Sequence, residues 1–186
     1  MKWKDLEKKV EQKMSTERFQ HTLRVAEEAK KLAALYDVDE DRAYEAGLLH
    51  DYAREMPIEQ MRELIIQQSL MEVILDYHPA IWHGPVGAYL IQQDLNVSDQ
   101  DILAAVCYHT TARVGMSVLE MIIFVADYIE PGRKLPAIDQ LRENATINLQ
   151  ETVLQILKNN IRYIVSREEK IFPDTLYAYN EFVSAK

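Results

Sequence analysis

The chain is predicted to be all-α, and three features say so. Apolar residues recur at three- and four-residue spacing almost throughout, the period of a helix with one buried face. The two-residue alternation of β-branched side chains that marks a strand is nearly absent. Breaks are sparse, with 5 glycines and 6 prolines in 186 residues.

Taken in order, Lys4 to Met14 reads as a short amphipathic helix with Leu6 and Val10 inward. Ser15 or Thr16 caps a second helix to about Tyr36, because a short side-chain oxygen can take a free N–H of the first turn. The acidic stretch Asp37 to Asp41 caps a third, running to His50-Asp51. Pro57 opens Ile58 to Gln68, since its missing N–H costs nothing at a helix start. Leu70 to Trp82 is less regular, with turns expected near His78-Pro79 and Gly84-Pro85, and Pro85 to Asp94 is helical again. Ser98-Asp99-Gln100-Asp101 resembles a capping box for a helix to His109, and Thr110 to Met116 is a polar loop. Ser117 with Glu120 caps the strongly apolar Ser117 to Ile129, which Glu130-Pro131-Gly132-Arg133 stops. One long helix is expected over Thr146 to Arg167, and a last one from Pro173 to about Val183.

A hydrophobic share of 48% is enough for a core, and no linker or repeat divides the chain. A single domain over 1–186 is expected, with a core over about 16–135 and helices 136–186 covering it. The net charge of -9 makes nucleic acid and anionic membranes poor partners, because phosphates repel an acidic surface. A small phosphorylated substrate remains compatible, since a metal ion and a few arginines reverse the potential locally. No apolar run approaches the ~20 residues that cross a bilayer. The start, Met1 to Glu7, is charged and lacks a signal-peptide core, so a cytoplasmic location is expected. The single cysteine, Cys107, excludes an internal disulfide and a Cys-rich zinc site, and it is expected to pack as a small apolar side chain.

The candidate chemistry lies in the histidines, of which none follows His109. His21 sits on the second helix, His50 ends the third, His83 precedes a helix start, and His109 ends the Ser98 helix. Asp51 follows His50 directly, and adjacent helical side chains splay by ~100°, so the pair can straddle an ion. Asp127 is a lone acid in the apolar run Met121 to Ile129, and burial of its charge requires a cationic partner, either a basic side chain or a metal. The order His21, His50-Asp51, His83, His109, Asp127 supplies imidazoles and carboxylates that suit iron, manganese or zinc better than magnesium or calcium.

That order resembles the HD-domain metal-dependent phosphohydrolase superfamily. Within it, Gly47-Leu48-Leu49-His50-Asp51-Tyr52-Ala53, His83-Gly84-Pro85-Val86-Gly87-Ala88, Tyr108-His109-Thr110-Thr111 and Ala126 to Arg133 are similar to the bacterial YqeK family. The likeness runs from about Arg18 to Asn180. It implies a helical HD-domain bundle that cleaves diadenosine tetraphosphate symmetrically with a metal-activated hydroxide. It also implies two divalent or trivalent transition-metal ions, with iron favoured. One would take His21, His50, Asp51 and Asp127, the other His83 and His109, with Asp51 bridging and central to catalysis. One position departs from the family pattern: Ala112 stands where a glycine usually precedes Arg113. Other HD branches would make the chain a nucleotidase or a guanosine tetraphosphate hydrolase, and a catalytically silent metal and nucleotide sensor is a third reading.

Further residues are candidates by position. Arg54, three residues after Asp51, is expected to orient that carboxylate or grip a phosphate in catalysis, or to face solvent. Thr110, Thr111 and Arg113 follow His109 and are candidate phosphate contacts, as are Arg133 and Lys134, which also suit a helix C-terminus as plain charges. Glu130 is placed to hydrogen-bond a ligand histidine, Trp82 and Tyr128 to pack in the core or stack on a base, and His78 to be a loop residue. A small nucleotide is the expected partner, and exposed apolar residues of the first or last helix would serve a homodimer. Phosphate-loop, His-Glu-x-x-His and Gly-x-Ser-x-Gly signatures are absent.

Overall fold

In the computed structural model, residues 3–184 are described and form ten α-helices with no strand among them. They are α1 (Lys4–Glu11), α2 (Thr16–Leu35), α3 (Glu40–Leu49), α4 (Ile58–Gln67), α5 (His83–Leu95), α6 (Gln100–Tyr108), α7 (Val118–Ile129), α8 (Ile138–Ile147), α9 (Leu149–Ser166) and α10 (Pro173–Ser184). Two 3-10 turns, Glu72–Asp76 and Pro79–Ile81, fill the irregular stretch before α5.

The bundle is built around α7, whose residues from Leu119 to Ala126 are all buried. A helix apolar on every side must be enclosed, and α2, α3, α6, α8 and α9 enclose it. Its N-terminus closes as the spacing predicts: Glu120 N–H donates to Ser117 Oγ at 3.2 Å, and Ser117 N–H donates to Glu120 Oε2 at 2.8 Å. Fully buried Leu32, Ile122, Ile123 and Leu154 join one apolar cluster, where truncation of each to alanine costs ~2–5 kcal/mol. Buried side chains of α9 and α10 belong to that same cluster. A smaller one, with Met61, Ile65, Ile74, Trp82, Val86 and Phe172, supports the α4–α5 end.

Two close approaches set the frame of the site. A Cβ on Gly47 would stand 2.7 Å from Ala26 Cα, so α3 lies tight on α2. A Cβ on Gly84 would collide with the Cys107 carbonyl oxygen, so α5 lies equally tight on α6.

Three sequence expectations need correction. The helix α8 was not expected, and it is separate from α9. Asn148, extended at φ -148° and ψ 99°, breaks the run and caps α9 by accepting Glu151 N–H at 3.0 Å. No turn occurs at Gly84-Pro85, because α5 starts at His83 and proline is tolerated in a first turn. The cap of α6 is Asp99, which accepts from Asp101 N–H and Ile102 N–H. Trp82 is core, buried and donating from Nε1 to the Ile74 carbonyl at 2.9 Å. Tyr128 packs half-buried against the main cluster, and Cys107 is half-buried, its thiol pushed up to about 12 by burial.

Candidate metal centre

The C-terminal ends of α3 and α6 deliver two histidines in the same way. Carbonyls of a last helical turn have no partner within the helix. His50 Nδ1 lies 2.6 Å from the Gly47 carbonyl oxygen, and His109 Nδ1 lies 2.7 Å from that of Val106. A carbonyl only accepts, so each Nδ1 carries the proton and each Nε2 of the neutral ring presents its lone pair. His21, on the buried face of α2, is held alike by a carboxylate, its Nδ1 3.1 Å from Glu130 Oε1. His83, the first residue of α5, is buried too.

These rings converge on Asp51. Its Oδ1 lies 3.1 Å from His83 Nε2 and 3.8 Å from His109 Nε2. Its Oδ2 lies 3.3 Å from His50 Nε2, 3.7 Å from His21 Nε2 and 3.0 Å from Arg18 Nη1. Asp127 Oδ1 stands 3.1 Å from His21 Nε2, 3.9 Å from His50 Nε2 and 2.7 Å from Arg133 Nη2. Each oxygen of Asp51 therefore faces a different pair of histidines. The six side chains, from five separate places in the chain, meet here, and half-buried Asp127 has both a basic partner and histidine neighbours for its charge.

The donor set fits a metal by its own geometry. His21 Nε2 and His50 Nε2 are buried without a hydrogen-bond partner among the described residues, although carboxylate oxygens stand near them. Donor atoms of His21, His50 and Asp127 lie within 4.8 Å of one another, as do those of His50, Asp51 and His109. His83 Nε2 and His109 Nε2 are 3.0 Å apart, and two cis nitrogens bound at ~2.1 Å to one ion stand roughly 3.0–3.4 Å apart. The negative ends of the α3 and α6 dipoles add to the field that favours a cation.

Electrostatics keep the two carboxylates ionised and His109 neutral, the forms that can bind a metal. Burial opposes the charge of Asp51, but His50 and His83 beside it hold the carboxyl well below its ordinary range. Burial likewise opposes Asp127, and His21, His50 and Arg133 overcome it and hold it low. Burial pushes His109 down to about 3, with His83 and His50 adding to the effect, so its ring is neutral. For His50 burial works against the proton, yet Asp51 and Asp127 raise its pKa.

The remaining candidates separate. Arg133 reaches Asp127 and, with Arg18, Arg24 and His21, lines a polar cavity at the mouth of the centre. Glu130 holds His21 and is itself held by Arg24 Nε at 2.6 Å and Gly132 N–H at 2.5 Å. Thr110, next to His109, lines a second cavity, and its Oγ1 is buried without a partner among the described residues. Thr111 is buried, and its carbonyl accepts from Thr175. Arg54 does not reach the Asp51 carboxylate. Helix α3 ends at Leu49, so the three-residue face argument fails, and Arg54 Nη1 lies 3.4 Å from the Ala80 carbonyl. Arg113 is turned away to Glu120, at 2.6 and 3.0 Å, and lies over the Tyr108 ring. Lys134 is exposed and lines neither cavity. His78 caps a 3-10 turn by accepting Ala80 N–H.

Two arginines were missed. Arg18 and Arg24 stand three residues before and after His21, so helical spacing alone puts all three on one side of α2. Arg18 occupies the place beside Asp51 that was expected of Arg54.

Known proteins resemble the chain over most of its length. The HD domain family matches residues 18–132. The chain is 41% identical to the symmetrical bis(5'-nucleosyl)-tetraphosphatase of Bacillus subtilis, covering 94% of each chain. It is 39% identical to the protein of that name from Halalkalibacterium halodurans, covering 91% of each. The crystal structure of an HD superfamily hydrolase from Clostridium acetobutylicum, described as involved in NAD metabolism, superimposes with a TM-score of 0.94 at 32% identity, over 99% of this chain and 98% of that one. The chain belongs to the HD domain family, alongside the symmetrical bis(5'-nucleosyl)-tetraphosphatases of those two bacilli.

Proposed function

We propose that this chain, acting as a single HD domain, hydrolyses diadenosine tetraphosphate symmetrically to two ADP. The observation that carries the reading is the convergence of His21, His50, His83 and His109 on the two oxygens of Asp51, with Asp127 alongside. Likeness to relatives named for symmetrical tetraphosphate cleavage supports the substrate. His21, His50, Asp51 and Asp127 would hold one ion, and His83, His109 and the other oxygen of Asp51 a second. Nitrogen donors with carboxylates suit iron, which we favour, and also manganese or zinc. Bound there, the ions supply Lewis acidity and lower the pKa of water.

The residues of the chain do the rest. Asp51 spans the centre and keeps the histidine pairs at a fixed separation. Glu130 and Arg24 lock His21 in the tautomer that leaves Nε2 free. Arg18 and Arg133 point into the mouth, where their remaining N–H groups can take phosphate oxygens as charge develops. The water oxygen bonds to one of the two central phosphorus atoms while the bond from that phosphorus to the central bridging oxygen breaks. Each half departs as ADP.

No helix among the described residues is long and apolar enough to cross a membrane, which fits a cytoplasmic nucleotide enzyme. For a homodimer, Leu176, Tyr177 and Val183 of α10 offer exposed apolar surface, whereas Val10 of α1 is buried. Chromatography of the products tests the function: ADP is expected alone, lost with chelator and in Asp51→Asn. AMP with ATP, release of phosphate or pyrophosphate as in other HD branches, or full turnover by Asp51→Asn would each overturn it.

A further inference from the structure

The second cavity, of about 310 Å³, borders the other end of the donor array from the arginine mouth. Thr110 in its wall is the neighbour of His109, and Ala80 and Ile81 in its wall precede His83, whereas the mouth is lined by His21. Its character is also different. Asn160, Tyr163 and Ile164 form one face of α9 at helical spacing, continued by Arg167 at its C-cap, and Tyr77 and Phe172 face them as an edge-to-face pair with centroids 5.1 Å apart. The Asn160 amide makes no hydrogen bond to the described residues, so its donor and acceptor are both free. The arginine mouth has no tyrosine, tryptophan or phenylalanine in its lining, and its one ring, His21, belongs to the donor array.

We propose that this cavity seats one purine nucleoside of the substrate, with Tyr163 stacking the base and Asn160 reading its edge, and that the second nucleoside is not read. A pocket of this size with aromatic walls and a few polar groups suits a flat ring. A free amide matches the adjacent donor and acceptor on an adenine edge. From this seat the phosphates run past Thr110 and across the donor array to Arg18, Arg24 and Arg133. Symmetry of the products then comes from where the centre sits along the phosphate chain, and one ring seat is sufficient. The inference rests on the proposed hydrolysis for its substrate.

The test compares wild type with Tyr163→Ala and Asn160→Ala. Tyr163 is 62% exposed, so its loss leaves the core intact. Calorimetry should show ADP affinity about tenfold weaker in Tyr163→Ala, the loss of one base–ring stack, and clearly weaker in Asn160→Ala. Inorganic pyrophosphate, which carries no base, should bind all three proteins alike. For diadenosine tetraphosphate, KM should rise with ADP affinity while kcat stays within about twofold. Adenosine 5'-tetraphosphate, with a single nucleoside, should show a KM within about threefold of that for the dinucleotide. Unchanged ADP affinity in both variants overturns the seat, and a KM tenfold or more weaker for adenosine 5'-tetraphosphate overturns the single-nucleoside reading. Weaker ADP binding in the variants, beside a wild type that leaves diadenosine tetraphosphate intact, supports the seat and sinks the hydrolysis instead.

Discussion

Replacing Glu130 by glutamine should disarm His21 without removing it. The Glu130 carboxylate accepts four hydrogen bonds from three residues: His21 Nδ1 and Arg24 Nη2 at Oε1, and Arg24 Nε and Gly132 N–H at Oε2. Burial opposes its charge, but Arg24, Gly132 and His21 hold it below its ordinary value, so it is ionised at neutral pH. A glutamine has one acceptor oxygen and one NH2 group. If the oxygen stays with Arg24 and Gly132, the NH2 faces His21 Nδ1, which must then accept. The proton moves to Nε2, the atom that faces Asp127 and Asp51. Loss of such support for a ligand histidine typically costs 10–100-fold in metal affinity, about 1.4–2.7 kcal/mol. Loss of one charged hydrogen bond costs a further ~1.5–3 kcal/mol of stability, or about 3–12 °C in Tm for a chain of this size. Titration of metal-free protein with manganese, read by calorimetry, measures the affinity, and nitrogen NMR of His21 reports which ring nitrogen carries the proton. Metal affinity within about twofold of wild type, or a proton still on Nδ1, would refute the reasoning.

Two further outcomes follow from the frame. Ala112 has φ 56° and is fully buried, a backbone region that costs an alanine ~1–2 kcal/mol. Ala112→Gly relieves that strain but loses a buried methyl worth ~0.8 kcal/mol and adds unfolded-chain entropy worth ~0.4–1 kcal/mol, so its stability should change by less than about 1 kcal/mol. Ala112→Val, β-branched and larger, should destabilise by more than about 2 kcal/mol in denaturant titration, and a neutral result would refute the strain argument. In acid, the hydrogen bond from Arg42 holds the Asp99 carboxyl below its ordinary value. A carboxyl with a depressed folded pKa gives stability that is fully present above its unfolded value of ~3.9 and lost as pH falls through the folded one. Tm of wild type should therefore fall more between pH ~5 and ~3 than that of Arg42→Ala, by a modest amount because Asp99 is one-third exposed, and parallel curves would exclude the contribution.

Local chemistry was legible where it is written locally. The Ser117–Glu120 cap, the all-round apolar α7 and the proline at the start of α10 follow from residues within a few positions of one another. The missed α8 has inward Ile138, Leu141 and Ala145 at helical spacing, but it begins at Ala137 with φ 57°, where no cap residue announces a helix. The candidate ligand set His21, His50, Asp51, His83, His109 and Asp127 was drawn from residue types, helix ends and the resemblance carried by the order of motifs. Its coming together was decided by tertiary structure, because Gly47 on Ala26 and Gly84 on Cys107 set how closely the helices approach. The arginines show the division most plainly. Sequence proximity assigned Arg54 to Asp51, yet the chain turns after Leu49 and Arg54 leaves for Ala80, while Arg18, 33 positions from Asp51, reaches its Oδ2. By itself the sequence determined the helices other than α8, their buried faces and the donor atoms on offer, since these depend on spacing along the chain. Only the fold decided which oxygen of Asp51 faces which histidine and which arginine stands guard, since those distances are set by the packing of helices remote in sequence.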